Sequence, residues 1–371
     1  MSDLPIDPAA ERGWMGQALA LAAVAEGATS PNPRVGCVLV RDGQVVGRGF
    51  HAAAGRAHAE VMAVEAAGAN AHGSTMYVNL EPCVHRGRTA PCTDVLIRSR
   101  VARVVVAHQD PNPLVDGKGF AALVAAGIRV EVGLLERESR ALNAPFLEVQ
   151  TRGVPLVTLK AGVSLDGRIS AQGGAARWIT GPLARRFAHR LRLAHDAVLV
   201  GAGTVRHDDP DLTVRLPDTV APRLRVVLSS GLDLDPGAAV FRPLPSAPRT
   251  RVYTGSGAPA SAEHALREVA DVIRVGDGID GIDLGCVLRD LARLDVQSVL
   301  VEGGGRTYAS FLRAGLAHRA ALFVAPKLLG ARGSTPLVDA PSPRTPDGAR
   351  QLFDRRIVPL GPDLLVLGRI G

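Results

Sequence analysis

Apolar positions in the first 150 residues switch repeatedly between helical and strand spacing. "WMGQALALAAVA" (14–25) repeats apolar residues at the spacing of an amphipathic helix. "VGCVLV", "RDGQ" and "VVGRGF" (35–50) read as a hairpin, because Asp-Gly tolerates the positive φ of a tight turn between two apolar runs. The Ala-rich "AHAEVMAVEAAGA" (57–69) predicts a helix and "STMYVNL" (74–80) a strand. Helix and strand then alternate through "PCTDVLIRSR", "ARVVVAHQD", "FAALVAAG" and "IRVEVG", ending in one helix over "LERESRALNAPFLEV" (135–149). Such alternation predicts an α/β sandwich, with candidate site residues at strand ends and helix starts.

Gly and Pro in "QTRGVP" (150–155) interrupt the pattern and predict a domain boundary, giving domains 1–149 and 150–371. A second α/β unit follows. Its expected strands are "LVTLKAGVS", "AVLVGAG", "LRVVLSS", "TRVYTG", "DVIRV", "SVLVEGGG", "AALFVAPKLL" and "LLVLGRI", with helices over "PLARRFAHRLRLAH" and "LGCVLRDLARLD". The proline-rich stretch 232–248 reads as a surface loop. At 371 residues the chain exceeds what one hydrophobic core usually serves, which also favours two domains.

Charge changes the picture only modestly. The net +7 arises wholly after residue 150, where 29 basic residues face 21 acidic ones; the first half has 14 against 15. An anionic ligand in the second half would account for it, and so would an Arg-rich solvated surface. No basic run is interleaved with aromatics, as a stacking surface for single strands requires, so nucleic acid is not the expected partner. The N-terminus lacks the pattern of a secretory signal and no apolar run approaches 18 residues. A cytoplasmic protein without membrane spans is expected.

Four cysteines, at 37, 83, 92 and 286, are too few for a disulfide framework. His58, Cys83 and Cys92 supply instead the three N/S ligands of a catalytic Zn2+, whose fourth position stays open to a water of pKa about 7. Glu60, two residues from His58, would carry a proton from that water to a leaving amine. The bland reading is a buried thiol pair with a helix-capping His. A structural zinc is the stronger rival and would recruit a fourth protein ligand, Cys37 or His85.

The H-A-E of 58–60 and the P-C of 82–83 match the general zinc deaminase signature H-x-E and P-C-x-x-C, except that eight residues separate the cysteines. That insert, "VHRGRTAP", resembles the bacterial bifunctional riboflavin-biosynthesis deaminase-reductase family, and "TSPNPRVGCVLV" and "DPNPLVDGKG" resemble its flanking segments. In the second half "LKAGVSLDGRIS", "RWITG", "GAGTVRHDDPDLTVR" and "VEGGGRTYASFL" resemble the same family in order. The resemblance implies a cytidine-deaminase-like α/β/α sandwich followed by a dihydrofolate-reductase-like α/β domain. It implies hydrolytic removal of the 2-amino group of 2,5-diamino-6-(5-phosphoribosylamino)pyrimidin-4-one, then NADPH-dependent reduction of the ribose to ribityl.

Carried over residue by residue, the resemblance makes His58, Cys83 and Cys92 the zinc ligands and Glu60 the proton shuttle, with Asn32, His51 and His85 contacting substrate. Arg86 and Arg88 are candidates for its phosphate, which guanidinium binds in a fork. Gly162, Trp178, Thr204, Asp208, Ser230, Gly304, Gly305, Arg306, Thr307, Tyr308, Ala309 and Ser310 would line the NADPH site. Arg192, Leu212, Arg215, Glu302 and Ala176 would face substrate, Ala176 standing where some relatives place a Ser. Lys160 is the candidate for polarising the reacting sugar; the plainer reading pairs it with an acid such as Asp166. The strand, glycines and helix of "VEGGGRTYASFL" would let backbone N–H groups approach a phosphate, without the G-x-G-x-x-G spacing of a Rossmann turn. Partners would be a small phosphorylated pyrimidine and other copies of the chain in a homo-oligomer. The rivals are a tRNA or nucleoside deaminase with an accessory domain, and a zinc-stabilised binding module that has no use for Glu60.

Overall fold

The computed structural model describes residues 7–85, 90–172, 178–216, 223–278 and 281–371. The chain divides into two compact units between Gly153 and Val154. In the first, α1 (Pro8–Val24) precedes a hairpin of β1 (Gly36–Arg41) and β2 (Gln44–Phe50), and then come α2 (Ala59–Ala67), β3 (Thr75–Val78), α3 (Cys92–Arg98), β4 (Arg103–Val106), α4 (Lys118–Ala125), β5 (Arg129–Val132), α5 (Glu136–Leu142) and α6 (Ala144–Arg152). The sheet order is β2-β1-β3-β4-β5, parallel from β3 to β5. Asp42 and Gly43 take the positive φ values that close the hairpin, 50° and 73°.

Both faces of this sheet are covered, which is why β1 is an unbroken apolar run rather than an alternating one. Met15 and Ala18 of α1 pack on Val38, Val40, Tyr77 and Val105. On the other face Ala59 and Ala63 of α2, Leu96 of α3 and Leu123 of α4 pack on Leu39, Met76 and Val104. The single helix expected over 135–149 is two helices that meet at Asn143, whose amide is spent on the backbone of Arg34. The second of these runs on to Arg152, past the expected junction at 149/150.

In the second unit the elements are β6 (Leu156–Ser164), β7 (Arg168–Ser170), α7 (Pro182–Ala194), β8 (Ala197–Gly201), α8 (Ala202–Asp208), β9 (Leu224–Leu228), β10 (Thr250–Thr254), α9 (Ala260–Arg267), β11 (Ala270–Arg274), α10 (Leu284–Arg293), β12 (Ser298–Val301), α11 (Gly305–Arg313), β13 (Arg319–Ala325), β14 (Thr335–Pro336), β15 (Leu352–Leu360) and β16 (Asp363–Ile370). The main sheet runs β11-β10-β9-β8-β12-β6-β13-β16-β15. It is parallel through β13 and antiparallel at β16 and β15. Helices α10 and α11 bury Val287, Leu291 and Phe311 on one face; α7 packs Ala184 and Phe187 on Phe323 and Leu365, outside that core.

The stretch 232–248, expected as a surface loop, is one only in part: 242–248 run mostly exposed, whereas Leu232, Leu234 and 238–241 are buried. Val240 and Phe241 are buried in a short 3-10 turn against Val198, Val227 and Val252, so the middle of the stretch covers the sheet while its prolines stay exposed. No helix among the described residues is long and apolar enough to cross a membrane.

Candidate functional site

His58 is the N-cap of α2, and Glu60 lies in that helix's first turn. Gly49 makes this placement possible: a Cβ there would sit 2.2 Å from the Ala59 carbonyl oxygen, so only glycine lets the start of α2 press on β2. Cys83 lies beyond β3 and Cys92 opens α3. The insert between the cysteines is closed by hydrogen bonds from the Cys92 N–H to Cys83 Sγ (3.4 Å) and from the Thr93 N–H to the Cys83 carbonyl (3.2 Å).

His58 Nδ1 stands 3.2 Å from Cys92 Sγ and 3.6 Å from Cys83 Sγ, and the three donor atoms lie within 4.8 Å of one another. Tetrahedral bonds of about 2.0 Å to nitrogen and about 2.3 Å to sulfur require an N···S separation of about 3.5 Å, so the donor set fits zinc. The hydrogen bond from Cys92 holds the Cys83 thiol well below its usual pKa, which favours the thiolate that a metal takes. Among the described residues no fourth donor joins the cluster. Cys37 is fully buried within β1 and His85 is exposed, so the fourth-ligand expectation is not met by either.

Glu60 is 3% exposed, and burial, then the charge of Cys83, pushes its carboxyl up to about 7. A carboxyl of that strength gives and takes protons at neutral pH. His51 is packed edge-on to His58, with ring centroids 5.4 Å apart. Its Nδ1 meets the Ala57 carbonyl at 3.1 Å and its Nε2 lies 3.0 Å from Asn32 Nδ2. Since a carbonyl only accepts, Nδ1 carries the proton and Nε2 accepts from Asn32. Among the described residues His85, which is exposed, shares no hydrogen bond or ring contact with this group. Arg86, Arg88 and Ala176 lie outside the described residues.

Sequence reading missed Glu81. Buried two residues before Cys83, its carboxylate accepts the backbone N–H groups of Asp110 (3.2 Å), Gly117 (3.1 Å), Gly119 (2.9 Å) and Phe120 (3.4 Å), and so ties "DPNPLVDGKG" to the cysteine loop.

The second unit holds a cavity of about 2400 Å3. Gly162, Trp178, Thr204, Asp208, Ser230, Gly304, Gly305, Arg306, Thr307, Tyr308 and Ser310 line it, as do Lys160, Arg192, Leu212, Arg215 and Glu302. Ala309 does not: it is 1% exposed, on the face of α11 turned into the core. The cavity exceeds a typical ligand site of about 300–1,000 Å3, leaving room for a dinucleotide beside a substrate. Gly303, Gly304 and Gly305 carry the chain from β12 into α11. A Cβ at Gly303 would meet Thr307 at 2.6 Å, so bare backbone faces the helix start, where N–H groups suit a phosphate.

Glu302 organises the substrate side. It accepts from Arg192 Nε at 2.7 Å, Arg192 Nη2 at 3.0 Å and Lys160 Nζ at 3.2 Å. Burial alone would raise its pKa; the charges of Lys160 and Arg192 outweigh this and hold it well below the usual carboxylate range. The partner of Lys160 is therefore Glu302 and not Asp166, which caps the backbone N–H groups of Leu329 and Gly330. Arg185, Arg186 and His189 also line the cavity, on the face of α7 that bears Arg192. Their spacing in "RRFAHRLR" is the signal that marks them.

A His-Cys-Cys zinc deaminase followed by a dinucleotide-dependent reductase is the class these sites define. The model of the cytidine and deoxycytidylate deaminase zinc-binding region matches residues 9–108, and that of the RibD C-terminal domain matches 155–366. The riboflavin biosynthesis protein RibD of Aquifex aeolicus is 43% identical over 320 residues, 86% of this chain and 88% of its own. The solved structure of Acinetobacter baumannii RibD aligns at a TM-score of 0.86 with 35% identity, over 98% of this chain and all of that one. A Thermotoga maritima structure described as a diaminohydroxyphosphoribosylaminopyrimidine deaminase/5-amino-6-(5-phosphoribosylamino)uracil reductase aligns at 0.83 with 32% identity, over 98% and 99%. The chain belongs to the RibD family of riboflavin biosynthesis proteins. It is a bifunctional enzyme, with a zinc-binding deaminase domain and an NADPH-dependent reductase domain.

Proposed function

We propose that the first unit removes the 2-amino group of 2,5-diamino-6-(5-phosphoribosylamino)pyrimidin-4-one and that the second reduces the ribose of the product to ribityl. The observation that carries the deaminase assignment is the three-donor cluster with a buried carboxyl of raised pKa beside it. His58, Cys83 and Cys92 hold the zinc, which when bound supplies Lewis acidity and an activated water. Glu60 takes a proton at its carboxylate and returns it to the leaving amine. Asn32, with Nδ2 engaged by His51, presents its carbonyl oxygen to a pyrimidine N–H, and His85 completes the substrate contacts.

In the reductase NADPH supplies the hydride. The backbone at Gly304 and Gly305, with Arg306, Thr307 and Ser310, holds its phosphates. Glu302 fixes the Lys160 ammonium so that it polarises the reacting sugar oxygen, and Arg192, Leu212 and Arg215 seat the phosphosugar. A small molecule rather than a nucleic acid suits the near-neutral charge of the first 150 residues. A cytoplasmic homo-oligomer is the setting we propose.

The test is Glu60→Gln. Ammonia release should fall by a factor of about 10²–10⁴, with zinc content and NADPH-dependent reduction of the deaminated substrate unchanged. Deamination at the wild-type rate would remove Glu60 from the mechanism.

A further inference from the structure

The cavity-lining face of α7 carries a residue to which neither the family resemblance nor the proposed mechanism gives a role. His189 lies three residues before Arg192, half-buried, with its ring in the cavity wall. Its Nδ1 sits 3.2 Å from the backbone nitrogen of Arg215. A backbone nitrogen can only donate, so Nδ1 must be the acceptor; the ring is then neutral and its single proton is on Nε2. Burial lowers the pKa of this imidazole, and the charges of Arg192 and Arg215 lower it further, in agreement with that tautomer. Among the described residues Nε2 bonds to no protein group. A neutral donor thus stands at the cavity wall between the helix that carries Arg192 and the strap that carries Arg215. Both of these cations already hold carboxylates, Arg192 that of Glu302 and Arg215 that of Asp211.

We infer that His189 is a substrate-binding residue of the reductase, its Nε2–H donating to an oxygen of the substrate's phosphate. The inference rests on the reductase reading given above. The chemistry suits the ligand: a phosphomonoester offers three acceptor oxygens, and a neutral donor among cations adds directionality without a further buried charge. Because the Arg215 N–H fixes the tautomer and the ring's orientation, the donor is set before substrate arrives.

Two substitutions separate this from a merely structural role. His189→Asn keeps an acceptor near Nδ1 for the Arg215 N–H and removes the distal donor. His189→Gln keeps a donor near Nε2 and gives up the acceptor. In the full-length enzyme with NADPH, His189→Asn should raise KM for the phosphorylated substrate by about tenfold to a hundredfold. The kcat, the KM for NADPH and ammonia release by the first unit should hold, while His189→Gln should stay within about threefold of wild type. With the dephosphorylated riboside as substrate the Asn variant should match wild type. The inference is overturned if Asn leaves KM unchanged, if Gln is the worse of the two, which would make the ring a prop for Arg215, or if the Asn defect persists on the riboside. A wild-type enzyme that fails to oxidise NADPH with the phosphorylated substrate would instead remove the reductase reading itself.

Discussion

Glu302 shows how much of a site one carboxylate can set. Ordinarily such a group titrates near 4.5; here Lys160 and Arg192 hold it ionised while it is buried. A depressed folded-state pKa means a contribution to stability that is fully present above the unfolded value and is lost as pH falls below it. Wild-type stability, followed by urea unfolding, should therefore fall steeply on acidification below pH 4.5, and that of Glu302→Gln should fall less. At neutral pH the variant should be less stable by about 3–5 kcal/mol, because two half-buried cations lose their partner. Parallel pH profiles for the two proteins would show that the carboxylate is not held as described. The pair was not legible in the sequence: Lys160 and Glu302 are 142 residues apart, and the acid nearest to Lys160 along the chain, Asp166, proves to be a loop cap. His58, Glu60, Cys83 and Cys92 were legible, since rare residue types at helix and strand ends leave few other uses.

Elements place the chemistry through close packing. Gly49 lies under the first turn of α2, and Gly49→Ala would drive a methyl into the Ala59 carbonyl oxygen and to within 2.6 Å of the Ala63 nitrogen. The expected cost is about 1–3 kcal/mol, with zinc given up to a chelator at lower concentration than by wild type. Gly13→Ala on the exposed face of α1, where an added Cβ meets nothing within 4 Å, is the control and should stabilise by about 0.5–1 kcal/mol. Equal zinc retention by the two variants would mean that α2 tolerates displacement. Period and turn chemistry revealed β1, β2 and the helix of "AHAEVMAVEAAGA", because each carries one clean signal. The second half misled where signals conflicted. The prolines of 232–248 are exposed as expected, but they mask the apolar Val240 and Phe241 between them, which cover the sheet. "GAGTVRHD" leaves its strand at Gly201 and turns at once into α8. "LFDRRIVPL", which has neither strand alternation nor a continuous apolar run, becomes an outer strand by pairing with β16.

At the scale of the whole molecule two units carry two chemistries with unlike demands. The deaminase unit concentrates rare ligands in a buried cluster and has almost no net charge. The reductase unit holds the entire basic excess and surrounds its cavity with Arg185, Arg186, Arg192, Arg206 and Arg215, as suits a phosphosugar and a phosphorylated cofactor. Metal dependence should divide along the same line. The most direct measurement is zinc content together with both activities on one preparation, before and after chelation. The expected result is one zinc per chain, loss of ammonia release when it is stripped, recovery when it is restored, and NADPH-dependent reduction unaffected throughout. Full ammonia release from metal-free protein would contradict the account.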